Sequence, residues 1–114
     1  MTDMPYTIYP EGLYRALRRV KSINKPIIIT ENGIADSKDD RRGLFIKRYI
    51  YAVNKAIEDD IDVRGYFYWS FLDNFEWLFG YKPRFGLVSV DRNTLERKGK
   101  TSLEFYKSVI NNSI

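Results

Sequence analysis

The chain contains no cysteine and no histidine among its 114 residues. The first absence excludes a disulfide framework, thiolate nucleophiles and thiolate metal sites, and the second removes the commonest general base and metal ligand. No metal and no cofactor are expected, and any chemistry has to come from carboxylates, Lys or Tyr. Long apolar runs are missing too. Nothing approaches the roughly 18 residues that read as a membrane span, so no membrane partner is expected. The N-terminus shows no charged-then-apolar leader, which sets a cytoplasmic expectation.

What is present is 44% apolar and 16% aromatic residues, a composition that buries a core rather than staying disordered. The length suits one compact domain, since domains commonly run from about 50 to 250 residues, and no repeat, linker or low-complexity segment divides residues 1–114. The formal charge of +4 raises the question of a nucleic-acid partner. Arg15, Arg18, Arg19 and Lys21 lie in one helical pattern, and Arg97, Lys98 and Lys100 lie in another segment; both are interleaved with apolar positions. They read as solvated helix faces, and no nucleic acid is expected.

The apolar spacing predicts an alternation of helix and strand. Pro10 suits a first helical position, and Leu13, Ala16, Leu17, Val20 and Ile23 recur at helical spacing until Asn24 and Pro26. Residues 26–31 are a short β-branched run of the kind buried on both faces of a parallel sheet, broken by Asn32 and Gly33. A second helix starts near Asp39 or Asp40 and carries Ile46, Tyr49, Ile50, Val53, Ala56 and Ile57 on one face until Asp59 and Asp60. Residues 63–70 read as the next strand, parallel to the first because a helix crosses over between them. A loop of about fifteen residues, a short extended piece at 86–90 and a last helix from about Lys98 to Ile110 follow. Two parallel strands buried on both faces cannot close a sheet alone. A (β/α)8 barrel needs about 250 residues, so the α/β pattern reads as about a quarter of one.

Glu31 ends an otherwise apolar strand, where a carboxylate has to be paired, hydrogen-bonded or functional. The C-terminal ends of barrel strands form the active-site face, and Trp69 stands at the corresponding end of the second strand. The loop from Phe71 to Gly80 mixes aromatics with Asp73 and Glu76. Apolar ring faces beside carboxylates suit a sugar, whose C–H faces pack on Trp while its hydroxyls donate to Glu or Asp. The alternative is that Glu31 caps or pairs with a neighbouring unit and the aromatics only pack a barrel mouth.

Ile28-Ile29-Thr30-Glu31-Asn32-Gly33 resembles the nucleophile signature of family 1 glycoside hydrolases, and Gly65 to Ser70 with Asp73-Asn74-Phe75-Glu76-Trp77 resembles the strand and loop that follow it. Gly80-Tyr81, Arg84 to Leu87, Val90-Asp91, Arg97, Lys100 and Ser102 continue the pattern, and Thr2-Asp3 with Ile8 to Leu13 resembles the segment before the nucleophile strand. The resemblance implies that residues 1–114 are the C-terminal portion of a single TIM-barrel domain, its strands seven and eight with flanking helices. It implies a retaining β-glycosidase that removes a terminal β-glucosyl unit by double displacement, with β-galactosyl and β-fucosyl units as further options. Glu31 matches the nucleophile, which stands about 5 to 5.5 Å from a second carboxyl group in retaining enzymes. Glu76 matches the acceptor for the sugar's outer hydroxyls, Trp77 a donor beside it, Trp69 the platform beneath the sugar and Phe85 an apolar wall. Tyr66, Tyr68, Phe71 and Phe79 read instead as packing residues.

Relatives that act on 6-phosphorylated sugars carry Ser, Lys and Tyr residues where this chain has Asn74 to Trp77, and a further carboxylate beside a phosphate would repel it. The implied partners are therefore an unphosphorylated β-glucoside or oligosaccharide and the remaining barrel units. The family's Asn-Glu-Pro motif with its general acid/base, an early Gln, a His-Trp pair and a Tyr beside the nucleophile do not occur in this chain. Alone it is expected to be inert. A non-catalytic carbohydrate-binding or barrel-complementing fragment is the alternative function.

Overall fold

The computed structural model describes residues 2–112. Helix α1 spans Pro10–Val20, with Glu11 in its first turn and Arg18 and Arg19 in its last, the charge order that the helix dipole favours. A 3-10 turn, Lys21–Ile23, continues it until Asn24 takes a left-handed backbone with φ of 56°. Leu17 is the buried member of the expected stripe, while Val20 and Ile23 face solvent.

Strands β1 (Ile27–Asn32) and β2 (Val63–Tyr68) pair in parallel across helix α2 (Arg42–Glu58), the expected βαβ arrangement. Helix α2 begins at Arg42 rather than at Asp39 or Asp40. The buried Asp36 carboxylate accepts from the Arg41 and Arg42 amides at 2.8 and 3.0 Å and draws residues 36–41 into a turn instead. At the other end Asp60 turns left-handed, and the Ile61 amide donates to the Ala56 carbonyl at 3.1 Å. Burial of Ile61 completes that terminus on its apolar side.

The last quarter of the chain departs most from expectation. Arg97–Gly99 is not the start of a helix but strand β4, antiparallel to β3 (Val88–Val90), and helix α3 follows at Thr101–Asn112. The Asp91 carboxylate accepts from the amides of Asn93 and Thr94, and Leu95 takes φ of 62°, so the chain reverses within this turn. Two three-residue strands are too short for alternation to register. Lys100 is correspondingly no solvated side chain: its ammonium lies 2.9 Å from Asp73, and both side chains are largely buried.

The core lies on one face of the β1–β2 pair. Leu17, Ile29, Val53, Ala56 and Ile61 form one cluster; Ile34, Phe45, Ile46, Tyr49, Tyr68 and Leu87 form another. Leu13 and Tyr66 pack against both. Phe45 stacks on Tyr49 with ring centroids 4.2 Å apart and meets Tyr68 edge-on at 6.4 Å. The expectation that both sheet faces are buried fails within this chain, because Ile28 and Phe67 are 56% and 60% exposed. Among the described residues β1 and β2 each have one strand neighbour, so the sheet stays open. The molecule is a two-layer wedge of 48 × 32 × 22 Å.

Candidate active site

Strict alternation along β1 would put Glu31 on the same side as Ile29, facing the helices. The register prevents it. Ile29 pairs with Tyr66 and Asn32 with Tyr68, so three steps along β1 match two along β2, which is a β-bulge. Ile29 and Asn32 both look toward the helices: the first packs with Leu17 and Val53, and the Asn32 side-chain carbonyl accepts from the Tyr66 hydroxyl at 2.7 Å. The bulge absorbs the extra residue, and the consecutive Thr30 and Glu31 are both exposed where strict alternation would bury Glu31. Among the described residues no cation lies within ion-pair distance of the Glu31 carboxylate.

Trp69 leaves the end of β2 with its amide donating to the Asn32 carbonyl at 2.8 Å, so it stands at the same end of the sheet as Glu31. It is 40% exposed. Gly33 fills the space behind it: a Cβ there would lie 1.7 Å from the Trp69 carbonyl oxygen, closer than any side chain permits. The Trp69–Ser70 peptide is cis. Ser70 then ties Phe85 to this edge, its amide donating to the Phe85 carbonyl at 3.2 Å while the Leu87 amide donates to the Ser70 carbonyl at 3.0 Å. Phe85 is half-buried beside it.

Glu76 and Trp77 ride on a separate turn. The Glu76 amide donates to the Gly80 carbonyl at 2.7 Å, with a 3-10 turn over Trp77–Phe79 and Gly80 at φ of 62°. Its root is fixed by Asp73, whose carboxylate accepts from the Gly86 amide at 2.8 Å and from Lys100 at 2.9 Å. Burial pulls Lys100 below the ordinary lysine value, against the pull of Asp73. Arg92 donates to the Asp73 carbonyl and covers the Tyr81 ring at 4.1 Å, and Tyr81 meets Phe75 edge-on at 5.4 Å. The Asn74 side-chain amide donates to the Ser70 hydroxyl at 2.9 Å and closes the base of the loop. Trp77 itself is 82% exposed. Glu31 and Trp69 thus stand at one end of the sheet, Phe85 is tied to that end through Ser70, and Glu76 with Trp77 sits on a turn whose base is bonded to Ser70 and Gly86.

Tyr66 and Tyr68 pack as expected, and burial raises both phenols above the ordinary tyrosine value. Phe71 and Phe79, expected as packing residues, are more than half exposed in this chain. Sequence reasoning missed the buried charges of Asp36 and Arg42 and the largely buried Asp39 that pairs with Arg42. The signal was there: Arg41 and Arg42 begin a helix that has no acidic residue in its first turn, the wrong sign for its dipole. Cations so placed call for acidic partners just upstream, and Asp36, Asp39 and Asp40 supply them. Among the described residues no cluster of His, Cys, Asp and Glu is arranged to hold a metal ion.

These elements define an α/β wedge, two parallel strands backed by three helices with carboxylates and aromatics at one edge. The chain belongs to glycosyl hydrolase family 1, whose family model matches residues 1–114. It is 44% identical over 98% of its length to β-glucosidase A of Acetivibrio thermocellus and 41% identical over 100% of its length to a β-galactosidase of Pyrococcus woesei. It covers 28% and 23% of those two proteins. The solved β-glycosidase from Pyrococcus horikoshii superposes on 95% of the chain with a TM-score of 0.92 at 50% identity, the chain covering 26% of that protein. The chain therefore spans about a quarter of the length of the relatives it matches.

Proposed function

We propose that this chain is the C-terminal portion of a retaining β-glycosidase, supplying strands seven and eight of a (β/α)8 barrel and the nucleophile Glu31. The observation that supports this reading is the bulge in β1, after which Glu31 is exposed at the end of the sheet where Trp69 stands. A carboxylate left without a cation is available to attack an anomeric carbon. Its oxygen forms the new bond as the glycosidic oxygen leaves with a proton from a general acid, and water then releases the sugar from Glu31. The Asn-Glu-Pro motif that carries the family's general acid does not occur in this chain, so on this reading the acid comes from the remaining barrel units. Trp69 offers a face to the sugar ring, Phe85 an apolar wall, and Glu76 with Trp77 an acceptor and a donor for its hydroxyls. Relatives named for both glucosides and galactosides support a β-glycoside substrate, and we favour β-glucosides. The uncovered face that carries Ile28 and Phe67 is where the remaining units would pack.

The test is hydrolysis of an aryl β-glucoside, whose activated leaving group needs little acid assistance. The chain is assayed alone and with a separately expressed N-terminal segment from a family relative. Activity on mixing that disappears with Glu31→Gln is the expected result. Folded mixtures in which wild type and Glu31→Gln are equally active or equally inert would overturn it.

A further inference from the structure

The side chain of Arg42 is fully buried, and its guanidinium is engaged on every edge. Its Nε donates to the Tyr68 hydroxyl at 2.9 Å, Nη1 pairs with Asp39, and Nη2 donates to the carbonyls of Asp36 at 2.9 Å and Arg84 at 2.6 Å, with the Ile34 carbonyl at 3.4 Å. The Tyr68 hydroxyl, having accepted from Arg42, gives its own proton to the Phe85 carbonyl at 3.0 Å. Three separate stretches of chain therefore converge on one cation. Ile34 lies three residues beyond Glu31, Tyr68 immediately precedes Trp69, and Arg84 immediately precedes Phe85. Asp39, which balances the charge, also accepts from the amide and hydroxyl of Ser102 at 3.0 and 2.7 Å, adding the start of α3 to the same centre.

A buried ion pair is weak evidence for stability, because packed apolar residues of similar volume often serve as well. What an apolar residue or a lysine cannot do is present donors in a rigid planar fork to several carbonyls at once. We propose that Arg42 is a positioning residue for sugar binding: through Tyr68 and the carbonyls of Ile34 and Arg84 it sets Trp69 and Phe85 relative to Glu31. The proposal rests on the sugar-site reading above. It adds that the spacing of the apolar walls is governed by a side chain that touches no substrate.

The test uses the barrel assembled from this chain and its complementary segment, with Arg42→Lys and Tyr68→Phe assayed well below their melting temperatures. Both are expected to raise KM for an aryl β-glucoside about ten-fold with little change in kcat, since misplaced walls weaken binding more than chemistry. The double variant is expected to be no worse than Arg42→Lys, because the Tyr68 contact is one of those that Arg42→Lys already breaks. Arg42→Ala is expected to recover part of its lost binding when guanidinium ion is added. Wild-type KM in both single variants, with Glu31-dependent activity intact, overturns the proposal while leaving the proposed function standing. If assembled wild type lacks Glu31-dependent activity, the sugar-site reading fails instead. The positioning claim is then read from this chain with Trp77→Phe, which leaves Trp69 as its one tryptophan. Tyr68→Phe is expected to make Trp69 fluorescence more accessible to iodide at unchanged far-UV circular dichroism, and unchanged quenching overturns the claim.

Discussion

The two faces of the β1–β2 sheet are built on opposite plans. The helix side is closed: Ile29, Tyr66 and Tyr68 pack beneath three helices. Among the described residues no buried side-chain polar atom on either side lacks a hydrogen-bond partner. The other side carries Ile28, Thr30, Glu31, Phe67 and Trp69 with little over them. The difference means that the residues holding the fold and the candidate site residues are sorted by strand face. One face holds this wedge together; the other stays open and, on the proposed function, is left to the sugar and to the rest of a barrel.

The largest expected effect comes from breaking the closed side. Ile46 is wholly buried in the α2 stripe, and Ile46→Ala removes apolar contacts from the Phe45–Tyr49–Tyr68–Leu87 cluster. A loss of about 2–5 kcal/mol is expected, read from the urea unfolding midpoint of the chain by circular dichroism. A midpoint equal to wild type would mean that the helix side is not what stabilises the wedge.

Gly33→Ala probes the seam where the two plans meet. The added methyl would strike the Trp69 carbonyl, and relief requires moving the strand end that carries Trp69, at about 1–3 kcal/mol or more. The paired control is Gly43→Ala, where a Cβ meets nothing within 4 Å inside α2, and stability should rise by up to about 1 kcal/mol. Opposite signs for one chemical change would locate the constraint at the site rather than in glycine chemistry. Equal signs would remove the close approach from the account.

A smaller effect separates the sides by pH. Burial opposes ionisation of Asp36, but the Arg41 amide and guanidinium, with Arg42 beside them, outweigh it and hold this carboxyl below the ordinary carboxylate value. A folded value below the unfolded one means that the contribution is full above about pH 4 and is lost as pH falls through the folded value. The Asp36→Asn chain should start less stable at neutral pH and lose less than wild type between about pH 6 and pH 3. Parallel losses would show that the acid sensitivity comes from elsewhere, with Asp3, also held low by the Ser37 amide and Arg41, the next group to examine.

The closed side was legible in the sequence because its signals are periodic. The 3.6-residue stripe of α2 and the β-branched run of β1 gave the βαβ unit and its parallel sense. The strand-end rule places Glu31 and Trp69 at the same end of the sheet from sequence alone. What escaped lacks a period. The bulge in β1 depends on register with β2, and without it alternation alone would have sent Glu31 toward the helices. The β3–β4 hairpin escaped because three residues per strand are too few to alternate, so Arg97 and Lys98 read in sequence as a helix face. The Arg42 centre joins residues from Ile34 to Ser102, and no local window holds it.

The smallest expected effect in the isolated chain is also the sharpest test of the two-plan comparison. Phe67 sits in β2 on the uncovered face at 60% exposure, two residues before Trp69. Phe67→Ser removes no contact from either core cluster, so it should change the stability of the chain by no more than about 0.5 kcal/mol, the usual range for surface positions. In the barrel assembled with its complementary segment the same substitution puts a hydroxyl where an apolar ring should be covered. Assembly, followed by analytical ultracentrifugation or recovered hydrolysis, should then weaken by about ten-fold or more, as expected when a large apolar side chain is lost from a buried interface. A chain destabilised as much by Phe67→Ser as by Ile46→Ala would mean that this face is already packed in the fragment. An assembly indifferent to it would mean that the remaining units do not cover this face, and the open sheet would need another explanation.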